Sequence, residues 1–217
     1  MSEIQGFGEN LLKVELIETD DRMCVISALD NFKQQEDTKI VALDQPVDIY
    51  AVFDGHGWDQ AMNKGMTLNT STLLEKEMLD WILKYISPFL GEDDRVLKEM
   101  KRAIIDYDRE LFNRTGVHQD GSTGVIVVQD GSKFYIANVG DSRAIMFNRR
   151  GLIFETIDHK PDEPNEKIRI ESVGGQVNPP DRYSSVYRVN HRGHTNGLAV
   201  SRGFGDFLWK ISGTYSE

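Results

Sequence analysis

The spacing of apolar positions changes several times along this chain, and each change marks an expected element. Segments 22–29 (Arg22-Met23-Cys24-Val25-Ile26-Ser27-Ala28-Leu29) and 48–53 (Asp48-Ile49-Tyr50-Ala51-Val52-Phe53) are short apolar runs rich in strand formers and bounded by polar residues, which predicts two buried strands. From Ser71 to Ile86 the period lengthens. Leu74, Met78, Trp81, Ile82 and Tyr85 fall on one helical face, and Thr72 with Glu75 has the spacing of a capping box. A second amphipathic helix is expected after Gly91, with Asp93 and Asp94 as caps and an inward stripe of Leu97, Met100, Ile104 and Leu111.

Period-two patterning then returns. Segments 123–128, 133–139 and 143–147 read as three consecutive antiparallel strands, joined by the turn signals Asp130-Gly131 and Gly140-Asp141-Ser142. Arg149-Arg150-Gly151 reads as a hairpin tip. A short helix is expected from Pro164 to Ser172, opened by Asp162 and stopped by Gly174-Gly175. Strand runs separated by paired helices, rather than strict β-α alternation, predict an α+β layered fold. With no internal repeat, low-complexity tract or long linker, residues 1–217 are expected to form a single domain.

Composition narrows the class. A hydrophobic content of 39% and a charged content of 28% are those of a soluble globular chain, and no run approaches the roughly 18 apolar residues of a membrane span. Cys24 is the only cysteine, so an internal disulfide is excluded. In its apolar run it is expected to be a buried, inert thiol. The N-terminal residues carry no basic or apolar leader pattern, and an intracellular location, cytoplasmic or nuclear, is expected. A formal net charge of −10 would repel a polyphosphate backbone, which argues against nucleic acid as a partner.

Two short motifs could carry chemistry. Asp54-Gly55-His56-Gly57 closes the apolar strand from Ile49 to Phe53, so a carboxylate and a backbone carbonyl are offered at one point. Mg²⁺ and Mn²⁺ take all-oxygen ligation of that kind, and His56 could supply a proton beside such an ion. Alone, the same four residues also describe a strand-terminating turn with a surface histidine. Ala137-Asn138-Val139-Gly140-Asp141-Ser142-Arg143 is likewise an ordinary hairpin by itself. Together, two aspartates at the tips of buried strands make half of a two-metal site.

In order, these motifs resemble those of the type 2C metal-dependent protein phosphatases. Val52-Phe53-Asp54-Gly55-His56-Gly57 is similar to the family's metal-bridging motif, and Gly121-Ser122-Thr123-Gly124 with Ala137 to Arg143 is similar to its central hairpin. Asp158-His159-Lys160-Pro161 followed by Glu166-Lys167-Ile168-Arg169-Ile170, and Leu198-Ala199-Val200-Ser201-Arg202-Gly203-Phe204-Gly205-Asp206, resemble the next two signatures. The resemblance implies two antiparallel sheets packed as a sandwich and flanked by helix pairs, with a binuclear Mg²⁺ or Mn²⁺ site at one end. It further implies that Asp54 bridges the two ions, the Gly55 carbonyl binds one, and Asp141 holds a further ion. His56 would protonate the leaving alkoxide of a phosphoserine or phosphothreonine.

Two departures from the family pattern shape the functional expectation. The best alignment puts Ala28-Leu29-Asp30 where the family has Met-Glu-Asp, and places its phosphate-binding arginine near Val25, with Arg22 too far back to serve. Beyond Asp206 only Phe207 to Glu217 follow, with no aspartate, so the chain is expected to cover about the first two-thirds of the family domain. A weak, incomplete metal site follows, and with it a catalytically impaired relative that binds a phosphoprotein or regulates a protein partner. The alternative is an active Mg²⁺- or Mn²⁺-dependent serine/threonine phosphatase. Strand edges left open would be covered by a partner or a second copy. The loop from Asn190 to Asn196, with His191 and His194, reads as a solvated insertion.

Overall fold

A computed structural model of the chain describes residues 12–19, 24–30, 36–43, 46–57, 68–116, 119–182, 184–190 and 197–211; for 12–19 and 24–30 the backbone alone is described. The histidines of the 191–196 loop, the residues from Ser212 onward and the burial of Cys24 lie outside the described residues. In chain order the strands begin with β1 (Leu12–Thr19), β2 (Cys24–Asp30), β3 (Asp37–Ala42) and β4 (Asp48–His56). Two helices follow, α1 (Thr70–Ile86) and α2 (Asp93–Thr115). Next come β5 (Gly121–Ser122), β6 (Gly124–Asp130), β7 (Lys133–Val139), β8 (Ile145–Asn148) and β9 (Gly151–Glu155). The chain continues with α3 (Pro164–Ser172), β10 (Gln176–Asn178), β11 (Arg188–Asn190), β12 (Phe204–Gly205) and α4 (Phe207–Ile211).

This is the expected α+β class, with antiparallel sheets and helices. The chain divides into two compact units, Met1–Gln35 and Glu36–Glu217. In the first, β1 and β2 form an antiparallel hairpin. The second is organised around a six-stranded sheet in the order β12-β5-β4-β6-β7, with β3 also paired to β4. Strand β4 supplies the reason for the layering. Ile49, Ala51 and Phe53 are buried while Val52 is 49% exposed, so the period of two sends one side of the strand into the core.

Helices α1 and α2 cover that side through Leu74, Met78, Ile82 and Ile86 on one and Val96, Met100, Ala103, Tyr107 and Leu111 on the other. The Trp81 indole N–H donates to the Ala103 carbonyl at 2.8 Å, and the Tyr107 hydroxyl donates to Glu77 at 3.0 Å, so the buried aromatics keep their polar atoms satisfied.

Four local expectations are corrected. The cap of α1 is Asn69, whose side chain accepts from the Thr72 amide at 3.0 Å, rather than Thr72. Glu163, not Asp162, caps α3. Leu97 is 48% exposed, and Val96 takes the inward position instead. The third strand of the expected meander does not extend the sheet: β8 pairs with β9 in its own hairpin, turned at Arg149-Arg150. The Gly140-Asp141-Ser142 turn instead redirects the chain, and Gly140 adopts φ +100°, where a side chain would be strained.

Candidate active site

The strand that builds the core also builds the site. Because Ile49, Ala51 and Phe53 point under the helices, Asp54 and His56 project from β4 onto an open face. Gly55 between them is required by close approach: a Cβ there would lie 2.5 Å from the Glu36 carbonyl oxygen and 2.7 Å from Ser71 Oγ at the start of α1. The backbone of Asp54 is fixed from β5 and its flank, since the Thr123 amide donates to the Asp54 carbonyl at 2.9 Å and Ser122 Oγ donates to the same oxygen at 3.2 Å.

A cavity of about 360 Å³ opens on this face, with Asp54, His56, Thr123, Asp141, Arg188 and Trp209 among its lining residues. Two of the sequence-derived aspartates and the histidine therefore come together. Their charges are unbalanced. Burial, then the charges of Asp37 and Asp141, push the Asp54 carboxyl up to about 6, and Asp37 shares a side-chain hydrogen bond with it. Asp37 stands directly opposite Asp54 in the β3–β4 register. An acidic neighbour of Asp54 thus comes from Asp37, at the start of β3. The available signal was an acidic pair opening the short strand Asp37–Ala42, which pairs with the Asp54 strand.

Asp141 is held differently. The Asp158-His159-Lys160-Pro161 segment clasps its turn: Lys160 Nζ donates to Asp141 Oδ2, and the Gly140 amide donates to His159 Nδ1 at 3.1 Å. Arg143 grips Asp158 through two bonds of 2.9 and 3.0 Å. Burial and the charge of Arg202 lower the His159 pKa, which suits its role as a neutral acceptor. Two signatures more than ten residues apart are therefore one interlocked structure.

His56 has a partner that sequence reading missed. Its Nε2 lies 2.9 and 3.0 Å from the two carboxylate oxygens of Asp206, which is fully buried. Burial alone would lower the imidazole pKa, but the Asp206 charge and hydrogen bond outweigh it and raise it to about 9. The ring is then protonated at neutral pH, with Nδ1 as the nitrogen not engaged by Asp206. Asp206 itself adopts φ +52°, and a Cβ at Gly121 would lie 2.4 Å from its carboxyl group. Behind it, Asp120 is buried and accepts from the Thr70 amide and hydroxyl at 2.7 and 2.5 Å. Burial nevertheless raises Asp120 to about 6.

The donor set suits a divalent cation in charge but not in number. The carboxylates of Asp37 and Asp141 both repel that of Asp54, and a cation would relieve that repulsion. Yet among the described residues no three His, Cys, Asp or Glu side chains converge closely enough to hold an ion, and the Lys160 ammonium already neutralises Asp141.

Fold and cavity together define an α+β protein in which an Asp-Gly-His strand end and a Gly-Asp-Ser turn line one cavity. The sequence pattern of the family described as Protein phosphatase 2C matches residues 20–215, and the chain belongs to that family of metal-dependent serine/threonine phosphatases. It is 33% identical over 178 residues to Protein phosphatase 2C homolog 3 of Schizosaccharomyces pombe, covering 81% of this chain and 37% of the relative. It is 36% identical over 165 residues to Probable protein phosphatase 2C 17 of Arabidopsis thaliana, covering 73% and 50%. The chain thus spans about a third to a half of the length of these curated relatives. Among solved structures, serine-threonine phosphatase 2C from Toxoplasma gondii shares the fold with a TM-score of 0.66 at 21% identity, over 84% of this chain and 67% of that one. Among the described residues no helix is long and apolar enough to cross a membrane.

Proposed function

We propose that this chain is a type 2C phosphatase-like domain that takes a phosphoserine or phosphothreonine side chain of a protein into the Asp54 cavity and hydrolyses it at a strongly impaired rate. One observation carries the reading: the described donors around Asp54 do not converge on an ion, and Asp141 is occupied by Lys160. Supporting outer partners of a metal site typically change its affinity by roughly 10- to 100-fold, so a site short of direct ligands is expected to bind Mg²⁺ or Mn²⁺ weakly. The residues that remain would still orient a phosphoryl group, with protonated His56 held by Asp206 beside it.

A second reading, an active Mg²⁺- or Mn²⁺-dependent phosphatase, is favoured by the uncompensated charge at Asp54. Further ligands would then come from residues outside the described set. Phosphate release from a phosphothreonine peptide in millimolar Mn²⁺ separates the two. Impairment is supported when the wild-type chain and Asp54→Ala release phosphate equally slowly. Sustained turnover that Asp54→Ala abolishes would overturn it in favour of the active enzyme.

A further inference from the structure

We propose that the groove between α2 and the outer edge of β7 is a docking site for an extended acidic segment of a partner protein, which joins the sheet as a strand beside β7. The groove has a volume of about 500 Å³ and shares no lining residue with the Asp54 cavity. One wall is a face of α2 on which Leu97, Lys101, Ile104 and Asp108 recur at spacings of three and four. Leu97, expected from the sequence to face the core, is 48% exposed there, so α2 carries apolar surface outside the core.

The other wall is a strand edge. Residues 136–139 of β7 line the groove in succession, and neighbouring strand residues point to opposite faces, so the opening runs along the edge rather than over one face. Strand β7 stands last in the order β12-β5-β4-β6-β7 and pairs only with β6 among the described strands. Its second row of N–H and C=O groups therefore has no described strand beside it. Nothing in the strand blunts that edge: from Phe134 to Val139 it has no proline, no charged side chain and no register shift. Strand addition uses such a row for affinity and the adjoining apolar pockets for side-chain choice.

The groove is held open at both ends. Near the start of β7, Lys133 Nζ and the Tyr135 hydroxyl both donate to Asp93 of α2, at 2.6 and 2.8 Å. Farther along α2, Asp108 accepts from the Gly205 amide at 2.8 Å and from Lys210 Nζ at 2.5 Å. With α2 fixed at both points, little ordering is left for a ligand to bring about. Charge then selects the ligand. Lys101, Arg202 and Lys210 line the groove against the single carboxylate of Asp108, on a chain whose formal net charge is −10. Lys101 is exposed and has no ion pair among the described residues, so it is placed to meet an acidic side chain. From Leu97 to Asp108 the helix rises about 16 Å, which about five extended residues span.

Fluorescence anisotropy with a panel of labelled peptides of about seven residues, in which valine, isoleucine, leucine or phenylalanine alternates with glutamate, tests this against twins carrying lysine for glutamate. The wild-type chain is expected to bind the best glutamate peptide about 10-fold more tightly than its lysine twin. Leu97→Asp should cost about 10-fold or more of that affinity, and Lys101→Glu should narrow the glutamate preference by about threefold. Alternate residues of a strand turn their amides to opposite edges, so N-methylation of every second residue should abolish binding in one phase and spare it in the other. This last comparison uses the unaltered chain and carries the test should Leu97→Asp fail to fold. Absence of binding by the glutamate peptides, equal effects of N-methylation in both phases, or full affinity in a folded Leu97→Asp chain would each overturn the site. Asp54→Ala is expected to leave peptide binding unchanged, so the outcome stands apart from the phosphatase reading.

Discussion

Glu166 and Asp54 are both carboxylates set within the family signatures, and they end in opposite electrostatic states. The Glu166 carboxylate is fully answered, by two guanidiniums and a hydroxyl. Burial would push its carboxyl up, but hydrogen bonds from Arg202, Arg169 and Ser201 outweigh that and bring it down to about 2. It joins α3 to the 201–202 segment and is closed to ligands. Around Asp54 the neighbours are Asp37 and Asp141, and the same physics drives its carboxyl up to about 6. The difference separates a structural ion cluster from a binding site: the first has spent its charge internally, and the second holds an imbalance that only a ligand can relieve.

The largest expected effect comes from breaking the balanced side. A carboxyl lowered from its ordinary value of 4.5 to about 2 corresponds to about 3 kcal/mol of stability at pH 7, which Glu166→Gln should forfeit. Because the folded value is the lower one, this contribution is fully present above pH 4.5 and fades as the pH falls towards 2. About 2 kcal/mol of it should be gone by pH 3. Urea unfolding at pH 7, 4.5 and 3 checks this, since the variant should start less stable and lose less on acidification. Equal acid sensitivity of the two chains would show that the cluster stores no such energy.

Smaller effects are expected on the unbalanced side. Asp37→Asn removes one of the charges facing Asp54, so the Asp54 pKa should fall from about 6 towards its ordinary range, read from its side-chain carbonyl NMR shift. The same variant should weaken Mn²⁺ binding by about 10-fold, because the site loses an acidic partner. Smallest of all, Lys160→Met frees Asp141 from its ammonium. That pair is part exposed and screened by solvent, so Mn²⁺ affinity should rise only about two- to fivefold by calorimetry. A fall in affinity with Lys160→Met would mean that Lys160 orders the turn rather than competing for its charge.

Much of this was legible without coordinates. The period of two in β4, β6 and β7 and the 3.6-residue period in α1 and α2 located the core, and the chain segments carrying Asp54, His56 and Asp141 were legible as motifs. Local patterns served there because each element's apolar face is written in its own sequence. Caps were less legible. Asn69 and Glu163 won over Thr72 and Asp162 because the winning side chain is the one whose backbone angle lets it reach an amide two or three residues on. The fate of β8 was illegible, since its pairing with β9 rather than β7 depends on how the Gly140 turn is clasped by Asp158 to Lys160.

By itself the sequence determined the class of fold, the family and three of the residues around the cavity, since periodicity and contiguous motifs are properties of short stretches of chain. Only the tertiary structure decided which charges meet. Asp37 reaches Asp54 by cross-strand register, Asp206 reaches His56 across 150 residues, Lys160 reaches Asp141 across 19, and Arg188 enters the cavity from a strand far along the chain. The reason is physical: hydrophobic patterning acts through a residue's neighbours in sequence, whereas the pKa of a carboxyl depends on its neighbours in space.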